Sequence, residues 1–141
     1  MKNLALRYVQ DLCAEFNATP GFTAVVESSP ARAVALDAPQ VLLVQLGAES
    51  IEGAAPPRVT RQREIQLIVH TRGDDHLALA EQVFEQAHPV VMAYADPSIV
   101  MVAEFGTDDA KYANGDLRRQ VVTKRYRITY QTDEHTLGRP A

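Results

Sequence analysis

The sequence predicts one α+β domain: a mostly antiparallel sheet of four to five strands with two helices packed on one face. Three observations predict it. Residues 3–16 and 75–87 each repeat apolar side chains at the i, i+3/i+4 spacing of an amphipathic helix. Residues 41–46, 59–71 and 120–131 are β-branched or alternating runs of strand length. The strands also follow one another in consecutive runs, the order of an antiparallel sheet whose helices gather on one side.

In chain order, Ala5, Val9, Leu12, Cys13 and Phe16 form the stripe of the first helix, and a turn containing Pro20 and Gly21 ends it. Residues 22–27 read as a short strand, broken by Ser28-Ser-Pro30, and residues 33–36 as a weak extended segment. The apolar run Val41-Leu-Leu-Val-Gln-Leu46 is a central, well-buried strand, and residues 52–57, which hold two consecutive prolines, are a loop.

Residues 59–71 alternate most clearly, with Ile65, Leu67 and Val69 facing one way and Glu64, Gln66, Ile68 and His70 the other. Asp74 and Asp75 then suit the start of a helix, where their side chains cap free N–H groups. That helix carries Leu79, Ala80, Val83, Phe84 and Ala87; it ends near residue 88, or kinks and resumes from Pro89. Residues 99–105 form the next strand. Residues 108–119 are a polar loop turning at Asn114-Gly115, and residues 120–131 are the last strand. Residues 1–132 thus make one domain, with 133–141 a flexible polar tail.

The bulk numbers agree with a soluble protein. The chain has 141 residues, 46% hydrophobic and 23% charged, the size of one domain with one core. No apolar run is long enough to cross a bilayer, and charges interrupt the first sixteen residues, so no signal-peptide core is expected. The protein is expected to stay in the cytoplasm unless a particle carries it outward. Cys13 is the only cysteine; on an apolar helix face it reads as a small buried side chain rather than a nucleophile.

A net charge of −4 does not recruit nucleic acid. Apart from Lys2, Lys111 and Lys124, however, every basic residue is arginine. The arginines concentrate at Arg58, Arg61, Arg63 and at Arg118, Arg119, Arg125, Arg127. Arginine is favoured where fixed pairing to carboxylates is wanted, including at protein interfaces. Tyr126 and Tyr130 alternate with Arg125 and Arg127, so tyrosines and arginines fall on opposite faces. That is not the aromatic-plus-basic platform of an RNA-binding sheet.

Catalytic motifs are missing: there is no phosphate loop, nucleophile elbow or His-Glu-x-x-His. The nearest metal-like group is His70, Asp74, Asp75 and His76, which spans a strand end and a helix start and would point its side chains apart. An enzyme or ligand-binding domain, the rival class, would draw on His70, Asp74 and His76. The pairs Asp74-Asp75 and Asp108-Asp109 read as exposed charge, able to meet a neighbour's arginines or loosely hold Mg²⁺.

Together these segments resemble the tail-terminator proteins of long-tailed phages, the minor tail protein U type. The resemblance covers nearly the whole chain. It is carried by Pro39 with Val41-Leu-Leu-Val-Gln-Leu-Gly-Ala-Glu49, by Arg63-Glu-Ile-Gln-Leu-Ile-Val69, and by the Asp-started helix with its late Pro89-Val-Val-Met92. Asp108-Asp109 and Tyr126-Arg-Ile-Thr-Tyr130 complete it. It implies a structural protein rather than an enzyme: a subunit of a hexameric ring that caps the tail tube, stops its growth and presents the head-joining surface. The implied partners are further copies of the chain, the tail-tube protein and a head-completion or connector protein, with no membrane and no sequence-specific nucleic acid. No cofactor is implied beyond a weak Mg²⁺ dependence of assembly. The implied location is the host cytoplasm during assembly, then the virion tail. Another head–tail connector or tail-completion protein is the sibling reading. Interface residues expected on this basis are Arg61, Arg63, Asp108, Asp109, Arg118 and Arg119.

Overall fold

The computed structural model describes residues 3–35, 37–113 and 116–141. Its elements run α1 (Leu4–Ala18), β1 (Val25–Glu27), α2 (Pro30–Ala35), β2 (Gln40–Ala55), β3 (Arg58–Arg72), α3 (His76–Ala93), β4 (Ile99–Thr107), β5 (Lys111–Ala113) and β6 (Asp116–Asp133). They build one sheet in the order β1-β2-β3-β6-β4. β5 pairs with β6 at residues 116–121, beyond the stretch that β4 occupies, so β4 and β5 lie end to end along one side of β6.

The sheet therefore has six strands among the described residues, more than the four to five expected. The extra pairing comes from β6, whose 18 residues are long enough to hold two successive partners. Much of the segment read as a polar loop at 108–119 is strand for the same reason. The turn expected at Asn114-Gly115 lies outside the described residues. Every pairing is antiparallel except β1 with β2, where Val25 aligns with Val41 and Glu27 with Leu43. A parallel pair needs a crossover, and α2 supplies it.

α2 is itself a correction, since residues 33–36 were expected to be extended. Ser29 and Pro30 explain the helix. The Ala33 N–H bonds to the Ser29 carbonyl at 3.0 Å, and proline suits a first helical position because its missing N–H has no partner there anyway. α2 also lies on the opposite face from α1 and α3. Ala33 packs with Val41, Leu43 and Ile68, whereas Leu42 and Val44 point into the main core. The two long helices share one face, as expected; the third covers a corner of the other.

The main core forms where the periodicities meet. Ile65, Leu67 and Val69 of β3 are fully buried, with Leu42 and Val44 on one side and Tyr126 and Ile128 on the other. From α1, Leu4, Tyr8, Leu12 and Phe16 pack onto them; from α3, Val83, Ala87 and Val91 do. Each large side chain buried this way contributes about 1.5–3 kcal/mol. Cys13, only half-buried, packs at the margin. Burial pushes its thiol up to about 11, which keeps it protonated and unreactive near neutral pH.

α1 starts at Asn3, whose Oδ1 accepts from the Leu6 N–H at 3.2 Å. α3 starts differently: Asp75 holds the cap position, but its side chain makes no capping hydrogen bond. α3 continues through Pro89 to Ala93 in one helix. Pro89 falls in the last turns, where it forgoes one backbone bond to residue 85. No described helix is long and apolar enough to cross a membrane.

The loop expected at 52–57 is instead the end of a long hairpin. β2 extends to Ala55, aligned with Arg58 of β3, and only Pro56 and Pro57 turn the chain, with a cis peptide between them. Prolines at the turn need no ladder bonds, so the strands zip up to them. Residues 133–141 fold back along the sheet. The Asp133 N–H bonds to the Arg139 carbonyl at 3.0 Å, Glu134 to Pro57 at 2.7 Å, and the Leu4 N–H to the Leu137 carbonyl at 2.9 Å.

Candidate functional site

The sheet has one face covered by α1 and α3 and another that α2 covers only at its β1–β2 corner. On the second, open face, side chains from successive strands line up as Gln62 with Thr129, Glu64 with Arg127 and Gln66 with Arg125. β4 adds Met101, aligned with Thr129, and Ala103, aligned with Arg127. This polar face, its two edges and the hairpin end are left uncovered by the helices.

Two of the arginines expected at an interface, Arg61 and Arg63, sit on the helix-bearing face beside the hairpin and turn toward Glu49 of their own chain. Arg61 Nη1 lies 3.6 Å and Arg63 Nη1 3.7 Å from its carboxylate, and Arg61 Nε donates to Thr132 at 3.0 Å. Tyr130 also donates its hydroxyl to Glu49, and burial pushes the Tyr130 hydroxyl pKa well above its ordinary value. One carboxylate thus joins β2, β3 and β6. The arrangement braces the root of the hairpin and leaves little of Arg61 exposed.

Asp108 and Asp109 are adjacent in sequence but have separate fates. Asp108 is gripped by Arg125, whose Nη1 also donates to Glu64 on β3. The hydrogen bonds from Arg125 hold the Asp108 carboxyl below the usual carboxylate range. Asp109 is exposed.

Arg118 and Arg119 are exposed near the start of β6, beside Gly73 and Asp37 in an open cleft of about 290 Å³. Arg118 Nε lies 3.3 Å from Asp74, and Arg72 Nη1 3.4 Å from Asp37. Ion pairs this exposed hold their partners weakly and exchange with solvent ions.

The expected interface residues therefore fall into three places rather than one: a hairpin brace, an open-face clamp and a cleft at the far end of β6.

His70, Asp74 and His76 do not converge. His70 aligns with Val41 on the open face. Burial there, with Arg72 nearby, lowers its pKa. His76 is buried at the start of α3, its Nδ1 3.0 Å from the Thr71 hydroxyl and its ring edge-on to Tyr112. Asp74 points into solvent. Consecutive strand residues alternate faces, so a site using His70 together with the Thr71–His76 pair would have to cross the sheet.

A second polar chain lies under α1. Tyr8 hydrogen-bonds Ser98, Ser98 donates to Asp96, and Arg7 pairs with the same carboxylate. Burial pushes the Tyr8 hydroxyl up to about 12. These groups fasten the α3–β4 connection to α1. Beside them a cleft of about 680 Å³, lined by Asp11, Glu15, Pro89 and Tyr94, opens between the two long helices. Tyr94 donates to Asp11 across it at 2.8 Å.

The exposed groups that sequence reasoning missed lie on β4. Val100, Met101 and Phe105 are 60, 52 and 54% exposed. Two bulges produce this, between Ile99 and Met101 and between Glu104 and Gly106. Each makes one residue of β4 surplus to the ladder and re-aims it. Phe105 is thereby placed under Arg127, whose guanidinium carbon lies 3.6 Å from the ring centroid. The available signal was the near-unbroken apolar content of residues 99–105, which exceeds what a strand with one buried face needs.

No protein-family model matches this chain, and no curated protein matches it.

Proposed function

We propose that the chain is a structural tail protein of a phage or prophage, a tail-terminator subunit. In this reading it forms a hexameric ring, caps the tail tube, ends tube polymerisation and presents the surface that joins the head. Its partners are other copies of itself, the tail-tube protein and a head-completion or connector protein. The resemblance in residues 39–49, 63–69 and 126–130 supports the reading at the level of sequence.

The structural observation that carries it is the β2–β3 hairpin. Residues 51–58 are all exposed, the half-buried stretch next to them is braced by Glu49, Arg61, Arg63 and Tyr130, and the strands become fully buried only at residues 41–44 and at 65, 67 and 69. An exposed hairpin end that β6 holds in register as far as Asp133, above an ion-paired base, can transmit contact between subunits without losing its register, as closure of a ring after a fixed rotation requires. A loosely hinged loop would not keep a fixed angle between neighbours.

The test is to concentrate the purified chain with and without Mg²⁺, look for rings by negative-stain microscopy, and add it to polymerising tube protein. Rings and arrested tubes are the expected result. A chain that stays monomeric in every condition and leaves tube length unchanged overturns the proposal. If the copurifying partner is a connector and tube growth is unaffected, the protein belongs elsewhere in the neck.

A further inference from the structure

The sheet has two free edges that differ in chemistry and lie on opposite sides of the molecule. On one side, β1 pairs only with residues 41–43 of β2, so among the described residues no strand lies beyond residues 46–55. On the other side, β4 is the terminal strand. Free strand edges present unpaired N–H and C=O groups, and proteins usually guard them. The bulges at Val100 and Phe105 interrupt the β4 edge, which favours a short, side-chain-directed contact over unlimited strand addition.

The side chains at the two edges are complementary. At the β4 edge, Met101 and Phe105 expose apolar surface on the open face, and Arg127 lies over Phe105. Arg127 has no carboxylate within ion-pair distance among the described residues, because Glu64, its cross-strand neighbour, is taken by Arg125. At the β2 edge, Glu52 is exposed, whereas its neighbour Ile51, aligned with Arg61, lies on the helix-bearing face. Ser50 aligns with Gln62 on the open face and donates its hydroxyl to Glu52 at 3.0 Å, which keeps the Glu52 carboxylate on that face. On the open face, one edge thus carries an acid and the other a guanidinium without a carboxylate partner.

We infer that the β2 edge of one copy, through Glu52, docks head to tail on the β4 edge of the next, with Glu52 pairing to Arg127 above Phe105. Within one molecule the two edges are separated by β3 and β6, so the contact cannot close internally. Because the patches differ, the contact is heterologous, and repetition of it yields a ring or a filament. The guanidinium is already seated over the Phe105 ring, so it loses little freedom when a carboxylate arrives. The inference rests on the ring reading only for the claim that the partner is another copy of the chain.

The test uses light scattering on the full chain and on the Arg127→Glu and Glu52→Arg variants, alone and mixed in equal amounts. Each variant alone should associate at least about tenfold more weakly, as expected for reversing one member of a close interfacial charge pair. The mixture should recover association, because every junction between unlike copies then pairs a carboxylate with a guanidinium. Met101→Asp, outside the charge pair, should weaken association as well and checks the result if either reversal impairs folding. A wild-type ring that the single variants form equally well, or a mixture no better than its components, overturns this contact and leaves the ring reading standing. A wild-type chain that never associates overturns both.

Discussion

Arg125 holds Asp108 of its own chain in a bidentate pair, with Nε 3.0 Å from Oδ1 and Nη2 2.6 Å from Oδ2. The third guanidinium nitrogen reaches Glu64 on β3. Fork-to-fork pairing of this kind fixes orientation as well as proximity, so the end of β4 is tied across β6 to β3. Asp108 is thereby paired within its own chain, whereas Asp109 remains exposed.

Asp108→Ala should therefore lower the thermal unfolding midpoint of the monomer, while Asp109→Ala leaves it in place. Circular dichroism on both variants checks this. If the two midpoints fall together, the clamp has no special part in stability.

The same clamp sets an acid limit. Hydrogen bonds from Arg125 hold the Asp108 carboxyl below its ordinary value of 3.8. At Asp96 burial pushes upward, but the Ser98 hydroxyl and amide together with Arg7 outweigh it, and the net direction is again down. The His135 N–H and then Arg139 do the same at Asp133. A carboxyl whose pKa is lower folded than unfolded adds stability that is complete above the unfolded value and lost as pH falls through the folded one. Stability from these three groups should persist down to about pH 4 and fall away below it. Acid unfolding of Asp108→Asn should show a shallower loss over that window than the parent.

Tyr130→Phe removes the hydroxyl that donates to Glu49 and leaves Arg61 and Arg63 beside the carboxylate. The expected cost is about 1.5–3 kcal/mol, the range for a hydrogen bond to a charged acceptor. Glu49→Ala should cost more, because it leaves two neighbouring guanidinium groups without their shared counter-charge. Denaturant unfolding of the two variants gives the order directly, and the reverse order would remove Glu49 from the centre of the brace.

Gly47→Ala tests the clamp from the opposite side. A Cβ at residue 47 would lie 2.9 Å from Glu64 Cβ, too close to stand. Relieving the clash displaces Glu64 from Arg125, so a loss of about 1–3 kcal/mol is expected. Gly53→Ala meets nothing within 4 Å and serves as the control in the same hairpin. Equal effects at the two glycines would show that close approach to Glu64 is not the cause.

Much of this molecule was legible in local pattern. The alternation of Ile65, Leu67 and Val69 identified the buried face of β3, and Tyr126 and Tyr130 fell on the core side, as their spacing required. Both long helices were visible in their apolar stripes. The errors came where a segment's state depends on a distant partner. Residues 52–55 read as loop because Pro56 and Pro57 follow them, yet their pairing with residues 58–60 makes them strand. α2 looked extended because an alanine-rich stretch carries little periodic signal.

The charged residues divide along the same line. Arg61, Arg63 and Asp108 were recognisable as unusual by type and position. Their partners Glu49 and Arg125 followed only from register, since a strand pattern states which face a side chain takes and not which residue stands opposite. The Phe105–Arg127 stack depends on a bulge, and a bulge exists only relative to a neighbouring strand. Local pattern was enough to set the periodicities, and so the buried faces of the long helices and central strands. Which charges pair within the chain and which edges stay open followed only from the folded sheet, because pairing across it joins residues that no local window contains.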